Sequence, residues 1–139
     1  MLNILLDTDA LVALTKKGDS NRRKAISIHQ KLKENDVQFF LSPFTTAETV
    51  TVLSYKLSHE EAKKFLIEAR KTDLPILSLE DNSPNIADQW FFKQNKKGTS
   101  YFDCYNMALL ERYKKQLNAI FSFDSVYKRN GFKTAEEII

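Results

Sequence analysis

Four carboxylates, Asp7, Glu48, Asp103 and Asp124, lie far apart in the chain yet in comparable places. Asp7 follows the apolar run Ile4-Leu5-Leu6, and Asp124 follows Ile120-Phe121-Ser122-Phe123. Glu48 comes early in a helical stretch, on one face with Phe44 and Val52; Asp103 opens another, in line with Met107 and Leu110. Elements that share a direction would bring all four side chains into one pocket. Like charges so close raise one another's pKa and do not all stay ionised without a compensating cation. Oxygen-only ligands select a hard ion, Mg²⁺ or Mn²⁺, and Mg²⁺ keeps several waters while using few carboxylates. Phosphodiester hydrolysis is the chemistry natural to such a site: the ion orients and acidifies water, neutralises the scissile phosphate and steadies the leaving oxygen. No protein nucleophile is required.

Each acid also has an ordinary explanation. Asp7 or Asp9 suits the N-cap of a helix beginning near Ala10, Asp103 the third-position partner of a Ser100 cap, Asp124 a turn, and Glu48 a helix surface. Caps and turns do not require four carboxylates in the same positional role, so the joint reading is favoured. Asp9 is assigned to the cap, with an added ligand as its alternative.

Four short apolar runs read as buried strands: Leu2 to Leu6, Val37 to Leu41, Pro75 to Leu79 and Ala119 to Phe123. Gly131-Phe132-Lys133 offers a fragment of a fifth. Between them, Ala25, Ile28 and Leu32, then Val50, Leu53 and Leu57, then Ala62, Phe65, Leu66 and Ala69 repeat at helical spacing. Ser58 with Glu61, Ser83 before Pro84, and Ser100 with Asp103 supply start signals. Alternating strands and helices predict one α/β domain over residues 1–139, three layers deep, with a mostly parallel central sheet of four to five strands flanked by helices. In open α/β sheets the site lies outside the carboxyl ends of the strands, where Asp7 and Asp124 stand.

The 139 residues, 42% hydrophobic and 28% charged, suffice for a buried core without disulfides or a structural metal. Cys104 is the one cysteine, which excludes an internal disulfide and fits a reducing cytoplasm; it reads as a small buried hydrophobe. No apolar run approaches a bilayer span, and the start, lacking a basic leader, reads as a mature N-terminus, so no membrane association is expected. Three glycines leave no material for a phosphate-cradling glycine loop. The net charge of +3 permits nucleic-acid binding without requiring it. Its basic residues cluster at Lys16-Lys17, Arg22-Arg23-Lys24, Lys96-Lys97, Lys114-Lys115 and Lys128-Arg129, and nothing in the sequence ranks these clusters as RNA contacts. His29 and His59 read as surface or packing residues. Trp90, Phe91 and Phe92 read as core at helical spacing, with an exposed patch as the alternative.

The strand ending in Asp7-Thr8, the Ser42 to Val52 segment with Glu48, the helix opening Ser100-Tyr101-Phe102-Asp103, and Ile120-Phe121-Ser122-Phe123-Asp124 occur in an order and spacing that resemble the PIN-domain ribonucleases. The likeness covers essentially the whole chain and is to the VapC kind, the toxin half of toxin–antitoxin pairs. What it implies is a sheet of about five strands, and Asp7, Glu48, Asp103 and Asp124 as catalytic and metal-binding residues. Asp7 and Asp103 would be the most direct ligands of Mg²⁺, which Mn²⁺ can replace, with Thr8 and Ser122 as supporting polar groups. It further implies an RNA substrate, a cognate antitoxin laid over the acidic groove, and a homodimer formed through the helices. Three other functions stand beside it: a housekeeping RNA-processing nuclease of the same fold, a phosphohydrolase of the haloacid dehalogenase kind using Asp7 and Asp9, and a binding module without catalysis.

Overall fold

The near-continuous apolar runs become strands that the computed structural model buries between helical layers; the structure describes residues 1–80 and 85–139. The expected cap at Ser83 before Pro84 lies outside the described residues. The element order is β1 (Leu2–Leu6), α1 (Thr8–Thr15), α2 (Arg22–Glu34), β2 (Val37–Phe40), α3 (Thr45–Lys56), α4 (His59–Lys71), α5 (Asn85–Lys93), α6 (Tyr101–Arg112), β3 (Ala119–Phe121), α7 (Val126–Arg129) and α8 (Ala135–Ile138). The sheet is parallel, in the order β2-β1-β3, with Ile4 opposite both Phe39 and Ala119.

Alternation along the strands builds the layers. Ile4, Leu6, Ala119 and Phe121 face Ala10 and Ala13 of α1 and Ala25, Ile28 and Leu32 of α2. Leu5 and Ile120 face Cys104, Met107 and Leu109 of α6 and Val126 and Tyr127 of α7. A smaller cluster, Val12, Leu53 and Ala62, ties α1 to α3 and α4. Small residues on α1 let it lie close over the sheet, so its first turn sits directly above the strand ends. Ser58 Oγ accepts from the Glu61 N–H (3.1 Å) and starts α4 as the sequence predicts.

The strands are shorter at both edges than their apolar runs. Pro75 to Leu79 makes one parallel bridge, Ile76 to Leu41, because tyrosines of the α6 region take backbone groups that a ladder would use: Leu79 N–H donates to the Tyr105 hydroxyl (2.9 Å) and the Tyr113 hydroxyl donates to Ser78 C=O (3.0 Å). At the other edge Gly131, at φ +88°, turns the chain back so that Ile120 bridges Thr134 once and donates its N–H to Lys133 C=O (3.1 Å). β3 ends at Phe121, two residues early, because the Phe123 N–H is drawn to Asp9.

One core assignment needs correcting. Trp90 packs on Phe132 (ring centroids 5.2 Å apart), but Phe91 is 40% and Phe92 79% exposed. Phe92 is rotated off the face of α5 that meets α6, and Phe91 reaches only the exposed start of α6, its ring 5.8 Å from that of Tyr101. His29 stacks on Phe39 (5.7 Å) and Cys104 is fully buried, as packing residues should be. No helix among the described residues is long and apolar enough to cross a membrane.

Ile120 is fully buried at the centre of the second core cluster. Ile120→Ala is expected to lower the unfolding free energy by about 2–5 kcal/mol in urea titration. The control Ile67→Ala, at an exposed position on α4, should stay within about 0.5 kcal/mol of wild type.

Candidate active site

Asp7 leaves β1 in extended geometry (φ −101°, ψ 157°) and caps α1, with only 4% of its surface exposed. Four donors hold it. The Thr8 N–H and Asn106 Nδ2 reach Oδ1 (2.9 and 3.2 Å), while Ser122 Oγ and the Tyr127 hydroxyl reach Oδ2 (2.8 and 3.0 Å). Its own N–H donates to Phe121 C=O (3.1 Å), which pins the end of β1 to the end of β3.

Asp9 does not cap the helix. Because α1 begins at Thr8, Asp9 falls inside the first turn and faces the chain leaving β3. Its Oδ2 accepts the Phe123 N–H (2.9 Å) and lies 3.2 Å from Ser122 Oγ, while its buried Oδ1 has no partner. Glu48, in the first turn of α3, accepts the Thr8 hydroxyl on Oε1 (2.5 Å). Asp103 closes no box with Ser100, whose Oγ accepts the Phe102 N–H (3.1 Å) instead. Its carboxylate turns to the Tyr127 hydroxyl (3.2 Å). Asp124 serves its turn as well, accepting the Val126 N–H (2.9 Å). Asp7, Asp9, Glu48, Asp103 and Asp124 nevertheless line one cleft of about 370 Å³, with Thr8 between them. Ser122 sits beneath it, 6% exposed, and its Oγ also accepts the Asp124 N–H (3.1 Å).

Two residues of the site escape a reading of the sequence. Asn106, 3% exposed, lies one turn beyond Asp103 and donates to both Asp7 and Tyr127 (3.2 and 3.1 Å). A polar residue amid the buried stretch of α6 was its available signal. Tyr127 carries none, since an aromatic just after a turn reads as core and its ring is indeed fully buried.

Burial and mutual repulsion govern the charges. Burial first, then Asp9 and Asp103, holds the Asp7 carboxyl well above the usual range. Burial and then Asp124 push Asp103 up to about 7, against the opposing Tyr127 hydrogen bond. Burial pushes Asp9 up to about 6, with the Phe123 N–H opposing. Tyr127 keeps its proton, because burial and the charges of Asp7 and Asp103 raise it far above 10. That single proton faces two carboxylates, at 3.0 and 3.2 Å, and the Ser122 proton likewise faces Asp7 and Asp9. The site is short of positive charge.

An all-oxygen donor set, a buried carboxylate oxygen without a partner, and acids held above their ordinary pKa fit a hard divalent cation. Among the described residues no three His, Cys, Asp or Glu side chains already converge on an ion-sized point. The phosphohydrolase alternative fares worse: its nucleophile would be Asp7, buried under four donors, and its proton shuttle Asp9, held by Phe123.

A model of the PIN domain family matches residues 4–133. The fold is similar to the crystal structure of VapC20 from Mycobacterium tuberculosis, described as a sarcin–ricin loop cleaving toxin, with a TM-score of 0.74 and 21% identity over 93% of this chain and 95% of that one. Among curated proteins no sequence matches significantly.

The raised carboxyl of Asp103 makes a signed prediction for the metal-free protein. Between the ordinary carboxyl pKa and about 7 the folded chain holds a proton that the unfolded chain has released, so this contribution to stability is complete at low pH and is lost as pH rises toward 7. With chelator present, the melting temperature of Asp103→Asn should climb relative to wild type between about pH 4.5 and 7.5. Parallel curves for the two proteins would contradict it.

Proposed function

The chain belongs to the PIN-domain family, and on that footing we propose that it is a divalent-metal-dependent endoribonuclease, the toxin of a toxin–antitoxin pair. The observation that carries this reading is the convergence of carboxylates from the ends of β1 and β3 and the first turns of α1, α3 and α6 on one cleft. Asp7, Asp103, Glu48 and Asp124 would hold Mg²⁺ or Mn²⁺. The chemistry such a cation would supply is charge neutralisation at the scissile phosphate and easier ionisation of an attacking water.

The chain's own groups supply orientation. The Thr8 hydroxyl aims Glu48, and Ser122 and Tyr127 fix the rotamer of Asp7 from below. Asp9 anchors the chain after β3 through Phe123 and so sets where Asp124 stands. Each ligand thus has a hydrogen-bonded partner that limits its motion, as ligands for catalytic ions generally do.

The toxin assignment draws on the fold likeness to VapC20 and on the four motif blocks in the sequence. A cognate antitoxin would then silence the enzyme by covering the acidic cleft, two copies of the chain would pair through their helices, and the site of action would be the cytoplasm, where RNA is plentiful.

Purified protein incubated with structured RNA should cleave it with Mg²⁺ or Mn²⁺ and stop in chelator. Asp7→Asn/Asp103→Asn, shown to be folded, should lose roughly 10²–10³-fold or more in rate, the equivalent of several kcal/mol of charge stabilisation. Intact RNA together with no metal binding by calorimetry would overturn the reading. Tyr127→Phe keeps the buried ring and removes only the hydroxyl between Asp7 and Asp103. It should stay folded but melt lower in chelator, because Asp7 and Asn106 lose a buried partner, and its Mn²⁺ affinity should fall by about 10–100-fold in calorimetry.

A further inference from the structure

A strand of nucleic acid entering the acidic cleft meets the wrong sign of charge. Among the described residues that line it, Lys56 is the one base against six acids, the five site carboxylates and Asp19. Hydrolysis of a polyanion there needs cations immediately beside the cleft to hold the flanking backbone.

The structure provides three of them beside the loop joining α1 to α2. A second hollow, of about 580 Å³, is lined by Lys17, Asp19, Ser20, Arg22, Arg23 and Ile26, and it shares Asp19 and Ser20 with the acidic cleft. The two hollows are thus neighbours across the loop joining α1 to α2. Among the described residues Lys24 pairs with Glu136, Arg112 with Glu80, and Lys63, Lys64 and Lys71 with glutamates of their own helix. Lys17, Arg22 and Arg23 take part in no such pair.

Asp19 makes no ion pair with them, its Oδ1 accepting the Asn21 N–H (2.8 Å) within the loop, and Lys17, Arg22 and Arg23 outnumber it, so the hollow stays net positive. Arg22 is held in advance, with Nη1 donating to Leu14 C=O (2.8 Å), which leaves the rest of its planar fork for an anion. Lys114 lines a different hollow, with Trp90, Leu110 and Phe132, that shares no residue with the cleft.

We infer that Lys17, Arg22 and Arg23 form a backbone-phosphate subsite that holds a single RNA strand on the α1–α2 side of the cleft while the scissile phosphate lies among the acids. The inference rests on the nuclease reading of the cleft and adds to it which side the strand leaves by. Contacts to phosphate carry no base information, so the subsite contributes affinity and register and leaves sequence choice to other parts of the cleft.

The test uses a labelled single-stranded RNA oligonucleotide and the folded, non-cleaving Asp7→Asn/Asp103→Asn protein, with anisotropy measured over a range of salt. Adding Lys17→Ala and Arg23→Ala, both at exposed positions, should weaken binding to every RNA sequence and reduce the slope of log Kd against log salt by about 1.4, because each phosphate neutralised on a single strand contributes about 0.7. Adding Lys114→Ala/Lys115→Ala in place of those should leave the slope unchanged. In the cleaving protein, Lys17→Ala/Arg23→Ala should raise KM and keep kcat. An unchanged slope and KM for Lys17→Ala/Arg23→Ala, an equal loss for the Lys114 pair, or no RNA binding by the non-cleaving protein would each overturn the subsite. Salt-dependent binding through Lys17 and Arg23 without any metal-dependent cleavage would instead uphold the subsite and overturn the nuclease reading.

Discussion

The buried carboxylate of Asp7 is the point on which the rest of the site depends. It lies almost out of solvent at the junction of β1 and α1, and its four donors come from α1, from α6, from the residue after β3 and from α7. An isolated charge in such a place is costly, and the effective penalty for burying an ion is several kcal/mol even after relaxation. The hydrogen bonds compensate only if all four elements arrive together. Asp7 therefore couples the closing of the sheet edge to the packing of both helical layers, and the same bonds that make its burial tolerable also orient it toward the cleft.

The donors are too few for the acceptors. Tyr127 and Ser122 each offer one proton to two carboxylates, and a carboxylate oxygen of Asp9 is left buried with no partner. A protein selected for stability alone would replace one of these acids by an amide or an apolar residue. Retained strain of this kind is typical of sites where activity opposes stability. Here the deficit is of positive charge, and its location coincides with Asp7, Asp9, Glu48, Asp103 and Asp124 in the cleft. Folding and chemistry thus compete for the same residues, with Asn106 and Tyr127 standing between them as neutral spacers that hold the acids apart without neutralising them.

Charge is also separated across short distances. The acidic cleft and the basic hollow meet at Asp19 and Ser20, so a polyanion crossing this edge passes from a region that attracts its backbone to one that repels it unless a cation intervenes. The loop between α1 and α2 keeps the two apart through backbone bonds of its own, Asp19 N–H to Lys16 C=O (3.0 Å) and Arg22 N–H to Asp19 C=O (3.1 Å), so the boundary is part of the fold.

What the sequence by itself determined was the alternation of strand and helix and the identity of the acids at the strand ends. Both are local properties: hydrophobic runs and helical spacing declare which faces are buried, and parallel strands then deliver Asp7 and Asp124 to the same edge. Glu48 was legible because α3 follows the parallel strand β2 and so begins at that edge, and Asp103 because it lies in line with the apolar residues Met107 and Leu110 of its own helix. Tertiary structure alone decided the rest. The role of Asp9 turned on where α1 starts and on the Phe123 N–H, more than a hundred residues away. Tyr127 and Asn106 entered the site because α7 and α6 pack on the same face of the sheet, and Phe91 and Phe92 left the core because Phe92 is rotated off the face of α5 that meets α6 and Phe91 reaches only the exposed start of α6. The edge segments after Leu74 and Asn130 lost their ladders to hydroxyl groups and a left-handed glycine. In each case the deciding interaction joins residues distant in the chain, and periodicity, which records only how a residue is oriented on its own element, carries no information about the partner it meets there.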